Sequence, residues 1–296
     1  MRRRPLPLAL AATAALALVA CAPQEESTDA GSTTGGGSSA TGACTPDELD
    51  TLEPGTLTIA TDEPAYEPWF VDDAPENGEG FESAVAYAVA EQLGYAEDDV
   101  TWTRVPFNAA IQPGARPFDF DVNQFSITEE RRQAVDFSSP YYTVSQAVIT
   151  TAGSAADGAT SIADLQNLRL GAQVATTSLD VLTNVIAPES QPVVFNTNDD
   201  AKLALQNGQV DGIVVDLPTA FFITAAELDN GVIVGQVEDA REGSDSEGDQ
   251  FGLLLAKDSP LTDCVSQAVD ALREDGTLAE LEQQWLSDVA DAPVLS

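Results

Sequence analysis

Short apolar runs alternate with helical patterns from Pro54 onward. The runs are rich in Val, Ile and Leu, and Gly, Asp or Asn bound most of them, which is typical of strands. Strands are predicted at residues 57–60, 100–105, 146–151, 169–174, 192–195, 212–215, 231–234 and 251–256. Helical spacing of apolar residues predicts helices at residues 81–93, 201–206, 259–273 and 277–286. Gly94 is placed to end the first helix, and Ser259 and Pro260 are placed to begin the third as N-cap and N1.

Strands that alternate with helices predict α/β layers with mostly parallel sheets. Two loose stretches indicate a division into two lobes. One is rich in Gly, Ala and Ser at residues 151–160, and the other is acidic and rich in Gly at residues 238–249. The last predicted strand follows the second stretch, so we expect the chain to return there to the first lobe. No repeat of fixed period is evident.

The N-terminus has the parts of an export signal. Arg2, Arg3 and Arg4 give a positive start, and residues 8–20 form an apolar run. This run is shorter than the roughly 20 residues that a membrane-spanning helix needs, so residues 1–20 are predicted to be a signal peptide. The segment ends in LVAC, which resembles a bacterial lipobox, where the cysteine, here Cys21, is diacylated and becomes the new N-terminus. The alternative is a chance cysteine beside an ordinary cleavage site.

Residues 22–43 contain no Leu, Ile, Val or aromatic residue, and Gly, Ser, Thr and acids dominate them. Such a segment buries too little apolar surface to offset its ordering entropy, so we expect a disordered tether. As a flexible coil it would span roughly 25 Å and hold a folded body just off a membrane surface. No other run of comparable hydrophobicity exists, which predicts a soluble body.

The charge of the chain argues against one class of partner. Without the three arginines of the signal, nine of the 12 basic residues remain against 49 acids, a formal charge of about −40. Such a field repels phosphate backbones, so no nucleic-acid partner is expected. The simplest interpretation of the acidity is a solvated surface suited to salty surroundings.

The sequence contains no histidine, which excludes His-based zinc sites, Ser-His-Asp triads and Cys-His dyads. We expect no metal and no cofactor. With Cys21 assigned to the lipid, Cys44 and Cys264 form an even pair in an oxidising compartment. This suggests a disulfide that ties the end of the tether to a C-terminal helix, and the alternative is two free buried thiols.

Three blocks of sequence together resemble the family-3 solute-binding proteins of ABC importers. The first is GTLTIATDEPAYEPWF at residues 55–70 with GFE at residues 80–82. The second, and the most specific, is FDFDVNQFSITEERRQAVDFSSPYY at residues 118–142. The third is LRLGAQVATTSLDVL at residues 168–182 with LQNGQVDGIVVD at residues 205–216. The resemblance covers nearly the whole predicted folded part.

This resemblance implies the type II periplasmic-binding-protein fold, an α/β fold of two lobes joined by two hinge strands. The implied boundaries follow a signal peptide at residues 1–20 and a lipid-anchored tether at residues 21–48. The first lobe is then expected at residues 49–145 with 246–296, and the second lobe at residues 146–245.

The second block contains a possible carboxylate site. Thr128 is a good N-cap, acids occupy the following turn, and Arg131 lies one turn into the predicted helix. Exposed N–H groups, a hydroxyl and a guanidinium would then converge, and arginine offers a bidentate fork for a carboxylate. The alternative is that Arg131 and Arg132 form surface ion pairs with the acids Glu129, Glu130 or Asp136.

The resemblance assigns roles around a ligand carboxylate. It makes Arg131 the clamp on an α-carboxylate, helped by Ser126 and the backbone of Gln124 from the same lobe. Thr177 matches the position in the second lobe that donates to the same carboxylate. The family usually has Gly where this chain has Ala175, which is a departure in a loop that approaches the ligand closely.

Other carried-over positions concern the ammonium group and the side chain of the ligand. Asp216 matches the acid that pairs with an α-ammonium, although an Asp before Leu-Pro is also a plain helix N-cap. Tyr66 matches an aromatic that covers the ligand side chain, and Gln173 aligns with a position that recognises that side chain. No Lys or Arg besides Arg131 falls at a pocket position, which argues against an acidic side chain.

Two assignments stay open because the alignment is ambiguous. Either Asp62 or Glu63 falls where the family often has an acid that contacts a cationic group. The second aromatic wall of the family falls at Asn108, with Phe107 one residue earlier. Either Phe107 faces the cleft, or the pocket is more polar than usual.

Together these features predict a receptor that captures a polar amino acid, or a similar small zwitterion, and delivers it to an ABC permease. The receptor would be anchored to the outer face of the cell membrane by its lipidated cysteine. Two alternatives remain open. One is an enzyme on the same fold, such as a dehydratase, with Glu63 as the flagged acid. The other is a ligand-sensing partner of a signalling protein.

Overall fold

The computed structural model describes residues 44–237, 248–286 and 292–295. The predicted signal peptide, Cys21, the tether up to residue 43 and the acidic residues 238–247 lie outside the described residues. The described chain forms two β-sheets flanked by helices. Within it, no helix combines the length and the apolar character needed to cross a membrane.

The first sheet contains five strands. They are Leu57–Thr61 (β1), Val100–Arg104 (β2), Phe120–Asp121 (β3), Val135–Val144 (β4) and Asp249–Ala256 (β10). Their order is β2-β1-β3-β10-β4. β1 runs parallel to β2 and β3, with Leu57 opposite Val100 and Ile59 opposite Phe120, whereas β10 is antiparallel to β3 and β4.

The second sheet contains six strands. They are Gln146–Thr151 (β5), Leu170–Gln173 (β6), Val193–Phe195 (β7), Gly212–Asp216 (β8), Gly231–Val237 (β9) and Val294–Leu295 (β11). Their order is β11-β9-β5-β8-β6-β7. β6 is parallel to β7 and β8, and β9 is parallel to β11, whereas β5 is antiparallel to β8 and β9.

Both sheets are mixed, but in each of them all described strands except one run in the same direction, so the prediction of mostly parallel sheets is confirmed. The antiparallel strands are β5 and β10, and each is the first strand after the chain passes from one sheet to the other. A strand that arrives from the other sheet is not preceded by the crossover helix of a βαβ unit, which is what keeps neighbouring strands parallel. The direction of these two strands therefore could not be inferred from the alternation of elements.

The passage between sheets lies elsewhere than the loose stretch at residues 151–160. β4 ends at Val144 and β5 begins at Gln146, so the first passage is at Ser145. Residues 151–160 instead join β5 to a helix of the second lobe. The C-terminal end also differs from the expected boundary, because β11 pairs with β9 in the second sheet and Leu295 is buried there.

Eight α-helices lie in the described ranges: Phe81–Gln92 (α1), Phe107–Ala110 (α2), Ile162–Leu165 (α3), Thr177–Val181 (α4), Asn198–Gln206 (α5), Leu217–Phe222 (α6), Thr262–Glu274 (α7) and Thr277–Trp285 (α8). α7 begins later than predicted. Ser259 accepts hydrogen bonds from the N–H groups of Leu261 and Thr262, so it closes a turn that precedes the helix. Its predicted role as N-cap is therefore wrong.

The central strands β5 and β8 of the second sheet are buried on both faces. Val148 and Val214 pack into one apolar cluster, whereas Ile149 and Ile213 pack into another on the opposite side. Burial on both faces explains why these strands are nearly continuous apolar runs in the sequence.

The start of α1 is fixed by the loop that follows β1. A Cβ atom on Gly80 would lie 2.4 Å from the carbonyl oxygen of Trp69, so only glycine fits this close approach. Trp69 is fully buried against Phe81 and Phe251, and its indole N–H donates to the Thr219 hydroxyl of the second lobe at 2.9 Å. The loop therefore packs α1 against the first sheet and also contacts the second lobe.

Cys44 and Cys264 are joined by a disulfide, with their Cα atoms 5.4 Å apart. Cys264 lies in α7, so the bond attaches the first described residue to that helix. The structure thus contains the pair suggested by the cysteine count rather than two free thiols.

Candidate functional site

One pocket collects side chains from the carboxyl ends of strands in both sheets, the usual place for a ligand in α/β proteins. β6 and β8 end at the lining residues Gln173 and Asp216. β1 ends directly before the lining residue Asp62, and β3 ends two residues before Asn123. The lining residues are Asp62, Tyr66, Phe107, Asn123, Gln124, Arg131, Gln173, Thr176, Thr177, Ser178, Asn198 and Asp216.

Arg131 lies between the two lobes and is 9% exposed. Its Nη1 atom donates to the carbonyl oxygen of Ser126 at 2.7 Å, and Nη2 donates to the carbonyl oxygen of Ala175 at 2.9 Å. Its guanidinium carbon lies 5.5 Å from the ring centre of Phe107, a cation–π distance. The guanidinium is therefore oriented in the pocket by groups from both lobes.

The surface alternative for Arg131 is not what the structure shows. Glu129 Oε1 lies 3.8 Å from Nε of the exposed Arg132. Asp136 Oδ1 forms an ion pair with Lys257 Nζ at 2.8 Å. Arg132 thus takes the surface position, whereas Arg131 is directed into the pocket.

The predicted helix after Thr128 is wrong. Thr128 does accept a hydrogen bond from the Arg131 N–H at 3.1 Å, but only a single 3-10 turn, Arg131–Gln133, follows before β4 begins. A turn this short offers no helix dipole, so the guanidinium alone supplies the positive charge. Thr128 thus makes the hydrogen bond expected of an N-cap, but the residue that directly precedes the 3-10 turn is Glu130.

Ser126 and Thr177 meet across the two lobes. Their hydroxyl oxygens are 3.0 Å apart, and the residues are 1% and 4% exposed. Thr177 lines the pocket, whereas Ser126 is not among the lining residues. Ala175 has φ of +63°, the left-handed region that glycine adopts freely, so the backbone here has a conformation that a glycine would adopt without strain.

The expected role of the Gln124 backbone is wrong for its N–H group. This N–H already donates to Glu82 Oε1 at 2.7 Å. The side-chain amide of Gln124 also donates to Glu82. Gln124 still lines the pocket, with a left-handed φ of +47°.

Asp216 ends β8 and precedes α6, but its side chain makes no capping hydrogen bond. Instead, Oδ1 accepts from the Gln146 side-chain amide at 2.6 Å, and Gln146 accepts from the Ser178 hydroxyl at 2.6 Å. Burial raises the pKa of Asp216 to about 7, and the Gln146 amide and the Arg131 charge oppose this rise. The capping alternative thus accounts for the position of Asp216 but not for its side-chain contacts.

The two ambiguous pairs are placed clearly. Asp62 lines the pocket and accepts from the Phe107 N–H at 3.0 Å, whereas Glu63 is exposed and outside it. Burial raises the pKa of Asp62. Phe107 lines the pocket and stacks on Phe125 at 4.8 Å, whereas Asn108 is exposed. Phe107 and Tyr66 are therefore the aromatic lining residues.

Several polar lining residues were not identified from the sequence, namely Asn123, Thr176, Ser178 and Asn198. The Asn123 Nδ2 atom is buried without a hydrogen-bond partner among the described residues. The available signal was the position of Asn123 two residues after the strand that ends at Asp121. Across the same described ranges, no group of three or more acidic or cysteine side chains is arranged to hold a metal ion.

Residues 57–288 match the family described as bacterial extracellular solute-binding proteins, family 3. The chain belongs to this family. This solute-binding protein is 27% identical to the ABC transporter arginine-binding protein 1 of Escherichia coli (strain K12), over 70% of this chain and 81% of that protein. It is 25% identical to the ABC transporter glutamine-binding protein GlnH of Bacillus subtilis (strain 168), over 72% of this chain and 76% of that protein.

A solved structure supports the same grouping. An ancestral arginine-binding protein bound to arginine matches this solute-binding protein with a TM-score of 0.62 and 27% identity, over 78% of this chain and 98% of that chain. The predicted two-lobed α/β fold is confirmed by this likeness. The relatives named here are described as binding proteins and not as enzymes.

Proposed function

We propose that this solute-binding protein captures a polar amino acid between its lobes. The observation that carries the proposal is the placement of Arg131 and Asp216, of opposite charge, around one pocket. Arg131 would bind the α-carboxylate of the ligand, with the Thr177 hydroxyl as a second donor. Asp216 would bind the α-ammonium, since Gln146 already orients its carboxylate. Charge-assisted hydrogen bonds of this kind are about twice as strong as neutral ones.

The charges that remain in the pocket favour a ligand with a cationic side chain. Among the lining residues, the acids are Asp62 and Asp216, and Arg131 is the only cation. An ordinary zwitterion would balance Arg131 and Asp216, which leaves the carboxylate of Asp62 to be matched. A guanidinium or ammonium group between Asp62 and the rings of Tyr66 and Phe107 would match it. The arginine-binding relatives support this choice.

The proposed ligand would be passed to the membrane permease of an ABC importer. Arg131 already contacts carbonyl groups of both lobes, so a carboxylate bound there would contact both lobes and favour the closed arrangement. Closure of two lobes around a hinge is the usual way in which such a receptor signals that it is loaded. The ABC-transporter relatives support this destination.

A thermal-shift panel of amino acids tests the proposal. A ligand at 100 times its dissociation constant adds about 2.7 kcal/mol to the free energy of unfolding, which raises Tm by several degrees. We expect the largest shifts from arginine, lysine or ornithine. Arg131→Lys keeps the charge but loses the fork, so it should abolish the shift, whereas the matched exposed control Arg132→Lys should keep it. No shift from any amino acid would refute the proposal.

We also propose that Cys21 carries the lipid that holds the protein at the outer face of the membrane. The support is the sequence alone, since Cys21 and residues 22–43 lie outside the described residues. Cys21→Ser should release the protein from the membrane fraction of its host into the medium, with ligand binding unchanged. A Cys21→Ser protein that still fractionates with membranes would contradict the anchor without affecting the proposed ligand.

A further inference from the structure

Gln124 occupies a strained position in the wall of the pocket. Its φ of +47° lies in the left-handed region, which side chains other than Asn and Asp rarely adopt. Such a conformation is strained and persists only where the surroundings enforce it. Some neighbouring group must therefore hold Gln124 in place.

The Glu82 carboxylate is that group. Oε1 accepts the Gln124 backbone N–H at 2.7 Å, and Oε2 accepts the Gln124 side-chain amide. These two hydrogen bonds hold Gln124 by its backbone N–H and by its side-chain amide. A carboxylate suits this task because both oxygens accept, whereas an amide of the same shape would oppose one of the two donors with its own N–H.

Glu82 is itself firmly placed. It is fully buried in the first turn of α1, and its N–H donates to the carbonyl oxygen of Trp69 at 3.0 Å. A Cβ atom on Gly80 would clash with the same Trp69 carbonyl, so the backbone is closely packed there and α1 has little freedom to shift. Gln124 is therefore held by a carboxylate that is fixed on helix α1, and not by a mobile side chain.

Glu82 also contacts the strand that leads to the other lobe. Its Oε1 atom accepts a hydrogen bond from the hydroxyl of Tyr141, which lies in β4. β4 ends at Val144, directly before the passage at Ser145. One carboxylate thus joins the pocket wall, α1 and the strand next to the passage between lobes.

We propose that Glu82 is a positioning residue for ligand capture. It holds Gln124 and the adjacent Asn123 in the conformation that the pocket requires, and it connects this part of the pocket wall to β4 through Tyr141. This inference rests on the proposed function. It adds a residue that does not line the pocket but on which the geometry of the lining depends.

A double-mutant cycle tests the inference, with L-arginine as the probe in isothermal titration calorimetry. Glu82→Gln should weaken binding about tenfold or more, because one acceptor oxygen becomes a donor. Gln124→Gly adopts φ of +47° without a carboxylate to hold it. In that background, Glu82→Gln should cost less than about threefold, which is the non-additivity expected of a coupled pair. Glu91→Gln, at an exposed position of α1, is the matched control and should have no effect.

A merely structural role for Glu82 would give a different pattern. The loss of affinity would then be the same in both backgrounds, and that result, or full affinity in Glu82→Gln, would overturn the inference. Amide hydrogen exchange of the ligand-free protein provides a test that does not depend on the ligand. Exchange across residues 122–127 should be faster in Glu82→Gln than in the wild type. If the wild type binds no amino acid, the proposed function fails, and unchanged exchange would separately overturn the role of Glu82.

Discussion

Asp121 is fully buried in the first lobe, in a place where an apolar residue would be expected. Its strand partners Ala60 and Leu254 belong to an apolar cluster that also contains Phe107. Neither carboxyl oxygen has a hydrogen-bond partner among the described residues. Burial raises the pKa of Asp121 well above its ordinary value, the charges of Glu82 and Asp62 raise it further, and Arg116 opposes this. Asp121 therefore lowers the stability of the fold wherever it must ionise.

The pH dependence of this cost can be predicted. In the unfolded chain Asp121 ionises near pH 4, whereas the folded protein retains the proton to higher pH, so stability falls as the pH rises above that value. Asp121→Asn should raise the free energy of unfolding by about 1–3 kcal/mol at pH 8 and change it little at pH 4. Urea unfolding at both values measures this. A variant that is less stable at pH 8 would show that the carboxylate is stabilised, with Arg116 as the candidate partner.

At the level of single residues, the family resemblance selected Thr177 and Asp216, and Arg131 was selected both by its chemistry and by the resemblance. The structure places all three in one pocket. Gln146 was not selected, because its role depends on partners far along the chain. It orients Asp216 from 70 residues away. Such contacts follow from tertiary packing and leave no local pattern.

At the level of elements, the pattern of apolar residues located most strands to within one or two residues of their observed ends. β4 was missed as a strand, because its sequence VDFSSPYYTV contains Pro140 and two adjacent serines. Proline is tolerated there because β4 is an edge strand of the first sheet, which leaves one side without a ladder partner. Edge position is a property of the sheet and could not be inferred from the strand alone.

The choice between Phe107 and Asn108 also depended on the exact end of an element. β2 ends at Arg104, and α2 begins at Phe107, whose N–H donates to Asp62. A start one residue later would have directed Asn108 to the pocket instead. Element boundaries are the least certain part of any prediction from a single sequence, and the hydrogen bond from the Phe107 N–H to Asp62 distinguishes the two residues.

For the whole molecule, the proposed function gives Arg131 the task of coupling ligand binding to closure of the lobes. Arg131 is held by a carbonyl of Ser126 in the first lobe and by a carbonyl of Ala175 in the second. A ligand carboxylate at this point gains from both lobes only when they are close together. The α-carboxylate, rather than the side chain, should therefore supply the free energy that couples binding to closure.

The most direct test of this claim compares an amino acid with the amine that lacks its α-carboxyl group. Isothermal titration calorimetry of the wild-type protein would use the best ligand of the panel, for example L-arginine, against its amine, agmatine. Loss of two charge-assisted hydrogen bonds to Arg131 and Thr177 predicts binding that is weaker by about 100-fold or more. An amine that binds within about threefold of the amino acid would contradict the assignment of Arg131 as the carboxylate clamp.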